Sequence, residues 1–278
     1  MASTTPAPSP DDFQERKRHT ATIARLLRSF IRVKYAVETD ASFMETLVAT
    51  ILSQNTSDIN SARAYHALRE HYPTWDDVAR AEPHALAEVI RRGGLADQKA
   101  RTILDVLHVI HARHSSYDPD HLEGTSDDEL LAELTSLKGV GLKTAACVLM
   151  FSLHRDICAV DTHIHRVVNR LGLVHTSNAD KTFHALRPLI PKGKGRQFHV
   201  DTILFGRRIC KAQRPHCFEC PLYDECAWPE KEAHAEAAKR GPAPASGDLL
   251  LTDMFPERKR PAAKRRNAAA AAKQTRDD

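Results

Sequence analysis

The chain has 278 residues, of which 42% are hydrophobic and 27% charged, and its formal net charge is +4. No apolar run approaches the roughly 20 residues of a membrane helix. Segment 1–11 lacks the apolar stretch of a secretory signal, so the sequence argues against a membrane protein and indicates an intracellular one. Eleven of the 40 basic and seven of the 36 acidic residues lie from Lys231 onward, which leaves 29 of each before it. A nucleic-acid ligand would therefore need a localised basic face on the folded part.

Helical spacing of apolar residues dominates the chain from Arg18 to Ile209, and no alternating strand pattern is found. We therefore predict an all-α fold with about ten helices. The compositions of residues 1–17 and 229–278 predict disorder. The predicted helices cover residues 18–35, 43–52, 60–71, 83–92, 98–114, 126–136, 142–153, 162–171, 181–190 and 198–209.

A tight hairpin connects two of these helices through residues 137–145, sequence LKGVGLKTA. Glycine permits positive φ angles and close backbone approach. A helix start leaves N–H groups pointing outward at the positive end of the helix dipole. The backbone of Gly139, Val140 and Gly141 is thus a candidate for binding a DNA phosphate, a contact that fixes position without reading sequence. A structural turn without a ligand would explain the same glycines.

A lysine and an aspartate follow the hairpin at two helix starts. Lys143 lies in the first turn after the glycines, where the helix dipole disfavours an ammonium. A neutral lysine amine is a nucleophile that forms Schiff bases. Asp161 begins the next helix, where it caps the N–H groups or, as an ionised carboxylate, stabilises positive charge on a sugar that loses its base. Each residue has a structural explanation by itself, and their combination with the hairpin favours catalysis.

Four of the six cysteines lie within 17 residues, at Cys210, Cys217, Cys220 and Cys226. In an intracellular chain this clustering indicates a metal rather than disulfides. Zinc sites usually combine two separated Cys pairs. Here the outer cysteines closely flank a single Cys-x2-Cys, which favours a 4Fe–4S cluster and leaves zinc as the alternative. The other two, Cys147 and Cys158, are predicted to be core residues.

Basic residues form three groups that could approach DNA. One lies in loop 192–196, at Lys192, Lys194 and Arg196, and another lies near the cysteines, at Arg207, Arg208, Lys211 and Arg214. Ordinary surface charge explains both groups equally well. The third is the tract 258–266 in the tail, which suggests a nonspecific DNA arm, a localisation signal or a solvated segment.

Together, the hairpin, the segment around Asp161 and the cysteine array resemble the helix–hairpin–helix/Gly-Pro-Asp glycosylase superfamily, and within it the endonuclease III branch. The resemblance covers about residues 20–228. It implies two all-α lobes: a helical barrel of residues 41–155 that ends in the hairpin, and a lobe of residues 18–40 and 156–228 around a 4Fe–4S cluster. It also implies Lys143 as nucleophile, Asp161 as the acid and the four clustered cysteines as cluster ligands. One departure is Lys138, where the family commonly has proline.

The implied activity is that of a bifunctional DNA glycosylase and AP lyase of base excision repair, which removes oxidised pyrimidines and cuts the strand by β-elimination through a lysine Schiff base. Such an enzyme must rotate the base out of the duplex. The polar loop 53–58 resembles the family loop that fills the gap; alignment on Asp58 selects Asn55, and alignment on glutamine selects Gln54. We assign no role to His163 and His165 near the site.

Two other functions stay open at this stage. A monofunctional adenine or mismatch-thymine glycosylase of the same superfamily would use water, although those branches typically lack lysine at position 143. A non-catalytic DNA-binding iron–sulfur protein would need neither Lys143 nor Asp161. The expected partner is damaged double-stranded DNA, with no membrane, no obligate protein partner and a monomeric state. We expect the protein at the nucleoid in the cytoplasm, or in the nucleus if the basic tail is a eukaryotic localisation signal.

Overall fold

The computed structural model describes residues 10–31, 41–119, 122 and 124–238, and throughout this part of the chain the regular structure is helical. The helices are α1 (Pro10–Ile31), α2 (Phe43–Ser53), α3 (Asp58–His71), α4 (Trp75–Ala79), α5 (Pro83–Val89), α6 (Ala96–His114), α7 (Asp127–Thr135), α8 (Leu142–Phe151), α9 (Thr162–Arg170), α10 (Ala179–Leu186), α11 (Gly195–Arg208) and α12 (Lys231–Ala238). The predicted all-α fold is confirmed. None of the described helices has the length and apolar character needed to cross a bilayer.

The contacts between helices fall into two sets. In the first set, α2 packs against α3, α6 and α8, with α4, α5 and α7 around them. In the second, α11 packs against α1 and α9, and α10 contacts α9. Helix α8 belongs to both sets, because it also contacts α10 and α11. Its residues 144–151 are all buried, as expected for a helix with neighbours on every side.

Helix α1 begins at Pro10, so the predicted disorder of residues 10–17 is wrong. Arg16 anchors this first part of the helix, because its guanidinium donates hydrogen bonds to the carbonyl of Leu173 at 2.7 and 3.1 Å. Further along, Ile23 and Leu27 are completely buried. The sequence did not indicate a helix here because the first turns of α1 carry few apolar residues. These turns also depend on a partner that lies more than 150 residues away in the chain.

Helix α12 is the second correction, since residues 229–278 had been expected to be disordered. The Lys231 ammonium donates to the carbonyls of Tyr223 at 2.9 Å and Cys226 at 2.8 Å, which fastens the helix start to the cysteine segment. The Trp228 ring stacks on His234 with an interplanar angle of 15°. The short helix α4 was also missed; its capping box of Thr74 and Asp77 encloses only five residues.

The buried lysine Lys99 connects α6 to two loops of the first set. Its side chain is only 3% exposed, and its ammonium donates to the carbonyls of Leu52 and Gly93, both at 2.7 Å. Burial lowers the pKa of Lys99 to about 8. Leu52 precedes the polar loop 53–57, and Gly93 precedes a turn that ends at Leu95. The Lys99 ammonium therefore holds the starts of these two loops together.

Helices α7 and α8 form the predicted hairpin. A capping box starts α7, in which the Ser126 hydroxyl accepts from the Glu129 amide and the Glu129 carboxylate accepts from the Ser126 amide, as predicted. Gly139 has a φ of +84°, and a Cβ there would lie 2.8 Å from Thr102 of α6. Only glycine meets both conditions without strain.

Several sequence predictions lie outside the described residues. These are the disorder of residues 1–9, the end of the first predicted helix at residues 32–35, the tail from residue 239 and its basic tract 258–266.

We predict that Gly139→Ala lowers the free energy of unfolding by about 2 kcal/mol. The alanine would have to adopt a left-handed backbone conformation, and its Cβ would also clash with Thr102. Gly141→Ala is the matched control, since Gly141 has a φ of −88° and open space around its Cβ position. Urea unfolding measures both. Equal losses for the two variants would contradict this account of the turn.

Candidate active site

The second helix of the hairpin begins without a side-chain cap. Its N-cap is Gly141, which has no side chain to accept a hydrogen bond from the amides of the helix start. The amide of Val140 is engaged inside the turn, where it donates to the Leu137 carbonyl at 3.1 Å, and its side chain is buried. Of the three predicted phosphate-binding residues, Gly139 and Gly141 are the exposed ones. The first turn of α8 thus leaves uncapped amides at the positive end of its dipole.

Asp161 is the N-cap of α9. Its Oδ1 accepts a hydrogen bond from the Ile164 amide at 2.8 Å. This interaction fixes the carboxylate at the start of the helix, so Asp161 does cap α9, as its position in the sequence predicts. The residue is half-buried, and its carboxylate also borders a cavity.

Lys143 and Asp161 line the same cavity between the two sets of helices. The remaining lining residues come from α2, α3, α8 and α11, and they are Ser53, Asp58, Cys147, Phe151, His199, Val200, Ile203 and Arg207. The lining thus combines apolar side chains with charged ones. The structure therefore brings together two residues that are 18 positions apart and belong to separate helices.

An ion pair between Asp58 and Arg207 closes one side of the cavity. Asp58 begins α3, and Arg207 lies near the end of α11, so the pair connects the two sets of helices. Arg207 had been considered as a DNA contact, and here its charge is balanced by Asp58. The cap of α3 is Ser57, whose hydroxyl accepts from the Asn60 amide at 3.3 Å.

One histidine, His199 of α11, also lines the cavity, and sequence reasoning missed it. Its side chain is 4% exposed, and its Nδ1 lies 2.6 Å from the Ala159 carbonyl oxygen. Burial lowers the pKa of His199 to about 4, although the Asp161 carboxylate opposes that effect. A histidine in an apolar helical stretch carries no motif, so only its spacing of four from Ile203 could have indicated burial.

The two histidines considered from the sequence point elsewhere. His163 Nδ1 lies 3.1 Å from Arg166 Nη2, and burial lowers the pKa of His163. His165 Nδ1 lies 2.7 Å from the Thr182 hydroxyl of α10. Neither borders the cavity that Lys143 lines.

The structure separates the two candidates in the polar loop. Gln54 donates from Nε2 to the Gly139 carbonyl at 3.2 Å and to the Thr144 hydroxyl at 3.3 Å, which ties the loop to the hairpin. Asn55 is exposed at the loop tip with a φ of +51°. Leu95 follows Gly93, whose carbonyl Lys99 joins to that of Leu52, and it is 53% exposed with a φ of +49°; sequence reasoning missed it.

The basic loop 192–196 is organised around an acid. Asp156 accepts hydrogen bonds from the amides of Gly193 and Gly195, the latter at 2.9 Å. The Arg196 guanidinium lies over the Phe151 ring, 5.0 Å from its centroid. Lys192 and Lys194 are exposed, so they keep the charge that an approaching phosphate would meet.

Four free thiols, those of Cys210, Cys217, Cys220 and Cys226, line one small cavity behind α9. Among the described residues, no three metal-binding side chains converge closely enough to hold a single metal ion. Four thiol side chains around one cavity are a donor set that suits a 4Fe–4S cluster. Burial raises the pKa of Cys220 to about 12, so thiolates here need a bound cationic centre.

Two arginines of α9 hold the cysteine segment. Arg170 donates to the Sγ of Cys210 at 3.5 Å and to the Lys211 carbonyl at 2.8 Å, and its guanidinium lies 3.9 Å from the centroid of the Trp228 ring. Arg166 donates to the Cys210 carbonyl at 2.9 Å. Because Asp161 begins α9 and Arg170 ends it, one helix connects the cavity to the cysteines. Cys147 and Cys158 are buried, as predicted, and Cys147 also contributes to the cavity wall.

Comparison with known proteins gives a consistent result. The family model described as the HhH-GPD superfamily base excision DNA repair protein matches residues 48–192. Endonuclease III of Thermotoga maritima is 37% identical over 203 residues, which cover 73% of this chain and 90% of that protein. A solved non-covalent endonuclease III–DNA complex matches with a TM-score of 0.67 and 28% identity, over 79% of this chain and 98% of that one. A trapped endonuclease III–DNA covalent intermediate with an estranged adenine matches with a TM-score of 0.67 and 29% identity, over 78% of this chain and 98% of that one.

Substituting the aspartate at the start of α9 tests its capping contribution. We predict that Asp161→Ala lowers the free energy of unfolding by about 1 kcal/mol, because the Ile164 amide loses its acceptor. Asp161→Asn keeps an oxygen at that position and should unfold close to wild type. Urea unfolding of the three proteins decides; equal stability of all three would show that the cap contributes nothing.

Proposed function

The chain belongs to the HhH-GPD superfamily of base excision DNA repair proteins, and we propose that it is a bifunctional DNA glycosylase and AP lyase that removes oxidised pyrimidines. The observation that carries this proposal is the shared cavity of Lys143 and Asp161, each in or beside the first turn of a helix. A nucleophilic amine and a fixed carboxylate are the two groups that this reaction requires.

The reaction begins when the extruded nucleotide places its C1′ between these two side chains. The neutral Lys143 amine forms a bond to C1′, and the glycosidic bond breaks with its electron pair leaving on the base. Positive charge develops on the sugar during this step, and the Asp161 carboxylate stabilises it. The carboxylate is held in place by the Ile164 amide, so little reorganisation is needed as the charge appears.

Strand cleavage follows from the covalent adduct. The adduct nitrogen loses a proton, and its lone pair then opens the sugar ring. The C1′–O4′ bond breaks, O4′ takes up a proton, and an imine remains between Lys143 and C1′. Loss of the C2′ proton then expels the 3′ phosphate oxygen, so the strand is cut on the 3′ side of the lesion. Water hydrolyses the imine and regenerates the Lys143 amine. A trapped covalent intermediate is known for the related endonuclease III, which supports the same type of adduct here.

DNA binding in this proposal uses the hairpin and the two loops near it. The exposed Gly139 and Gly141 and the first turn of α8 suit a phosphate. Asn55 is the better candidate for filling the space of the extruded base, because Gln54 is already bonded to the hairpin. Leu95 presents an apolar side chain on the adjacent turn, where it suits contact with the exposed faces of bases.

The 4Fe–4S cluster belongs to this proposal as a structural centre. Cys210, Cys217, Cys220 and Cys226 would supply its four thiolates. When bound, the cluster would stabilise the fold of residues 210–226 by linking four points of that loop. Arg170 would then offset part of its negative charge through the hydrogen bond to Cys210.

The substrate in this proposal is damaged double-stranded DNA, bound by a monomer at the nucleoid in the cytoplasm, or in the nucleus of a eukaryotic cell. A monomer suffices because one chain contributes both Lys143 and Asp161 to one cavity.

Borohydride trapping tests the lysine mechanism. Sodium borohydride reduces the imine to a stable amine, so wild type and an abasic duplex should give a covalent complex on a denaturing gel. Lys143→Ala should give none. Lys138→Ala is the control. Lys138 is exposed and precedes the two glycines in the chain, whereas Lys143 follows them, so this variant should leave the yield unchanged. Absence of a wild-type adduct, or equal yields from both variants, would refute the mechanism; nicking only after added alkali would favour a glycosylase that uses water.

Metal analysis tests the cluster. The anaerobically purified protein should contain about four iron and four sulfide per chain and show the brown absorbance of a 4Fe–4S centre. Cys220→Ser should lose iron and destabilise the fold. Cys158→Ser, at a buried cysteine outside the array, should keep its iron. One zinc per chain with no sulfide would overturn the proposal.

A further inference from the structure

His199 is a cavity residue that the catalytic scheme leaves unused. It lines the cavity together with Lys143 and Asp161, and both are close enough to influence its protonation. Its ring packs edge-on against Phe151 with a centroid distance of 5.7 Å. Only 4% of the residue is exposed, so the ring is held on several sides. A fixed polar ring in the wall of a small cavity is suited to recognising what enters it.

The hydrogen bond to Ala159 determines which nitrogen of the ring carries the proton. A carbonyl oxygen can only accept, so Nδ1, at 2.6 Å from it, must be the donor. Burial keeps the imidazole neutral at physiological pH because it lowers the pKa of His199 to about 4. A neutral imidazole has one protonated nitrogen and one acceptor. Nε2 is therefore the acceptor, and it is the nitrogen left for the cavity.

We propose that His199 is a specificity-determining residue, whose Nε2 accepts a hydrogen bond from the N3–H of an extruded pyrimidine. This inference rests on the proposed glycosylase function and names the class of base that the cavity prefers. Pyrimidines derived from thymine or uracil carry N3–H between two carbonyl groups. Pyrimidines derived from cytosine carry a lone pair at N3 instead. An acceptor in the wall matches the first class and opposes the second.

The surroundings of His199 make this discrimination effective. Phe151 and Cys147 border the cavity from α8, and Val200 and Ile203 border it from α11. These four side chains offer few hydrogen-bonding groups, so an N3 lone pair facing Nε2 gains no strong donor from this part of the wall. Two hydrogen-bond acceptors that face each other away from water have a higher free-energy cost than the same pair at a surface, where water can bind both.

The test compares three duplexes that differ only at one site: dihydrouracil, 5-hydroxycytosine or an abasic site. His199→Asn keeps an N–H for Ala159 but removes the cavity acceptor. We expect this variant to excise dihydrouracil about tenfold more slowly, the effect of one lost hydrogen bond, and 5-hydroxycytosine no more slowly than wild type. Abasic-site cleavage and borohydride trapping should stay at wild-type levels, since no base is present. His199→Gln, which places an amide oxygen near the Nε2 position, should recover part of the dihydrouracil rate.

The outcomes are separable. Equal losses on all three duplexes would show that His199 only maintains the fold, and unchanged rates on all three would show that it contacts no base; either result overturns the inference. Thermal unfolding of each variant is measured alongside, and if His199→Asn does not fold, the ratio of the two lesion rates in His199→Gln decides. Failure of wild type itself to cleave or trap the abasic duplex would overturn the proposed function instead.

Discussion

The convergence of two helix starts is the constraint on which the site depends. Lys143 lies in the first turn of α8, and Asp161 caps α9, so both side chains are placed by backbone that the helices make rigid. Both helix starts border one cavity, so the two side chains reach the same space. Packing of α8 against α11, and of α9 against the same helix, brings the two starts together.

Helix α9 links this site to the cysteine segment. Asp161 stands at its start, and Arg166 and Arg170 bind the carbonyl of Cys210 and its sulfur further along. Trp228 covers Arg170 from the other side. A change in the cysteine loop would therefore shift α9 and the carboxylate that it carries.

Several polar groups in and around the cavity are held by a hydrogen-bond or ionic partner. Asp58 and Arg207 neutralise each other across the boundary between the two sets of helices. His199 is kept uncharged by burial and oriented by Ala159. Outside the cavity, the Lys99 ammonium also has partners, because it donates hydrogen bonds to two carbonyls and so holds adjacent loops together. Groups that are held in this way need little reorganisation when charge develops near them.

Local pattern by itself determined the all-α class, the capped hairpin, and Lys143, Asp161 and the cysteines as residues of interest, because helical periodicity, capping and ligand spacing act over a few residues. Tertiary structure decided what depends on contacts between distant segments. It brought Lys143 and Asp161 to one cavity, engaged Gln54 with the hairpin while leaving Asn55 exposed, and placed His199 in the wall. It also extended order to the start of α1 and to α12, whose anchors are carbonyl groups that carry no sequence signal. A backbone acceptor is the same at every residue, so only the fold selects which one a distant side chain meets.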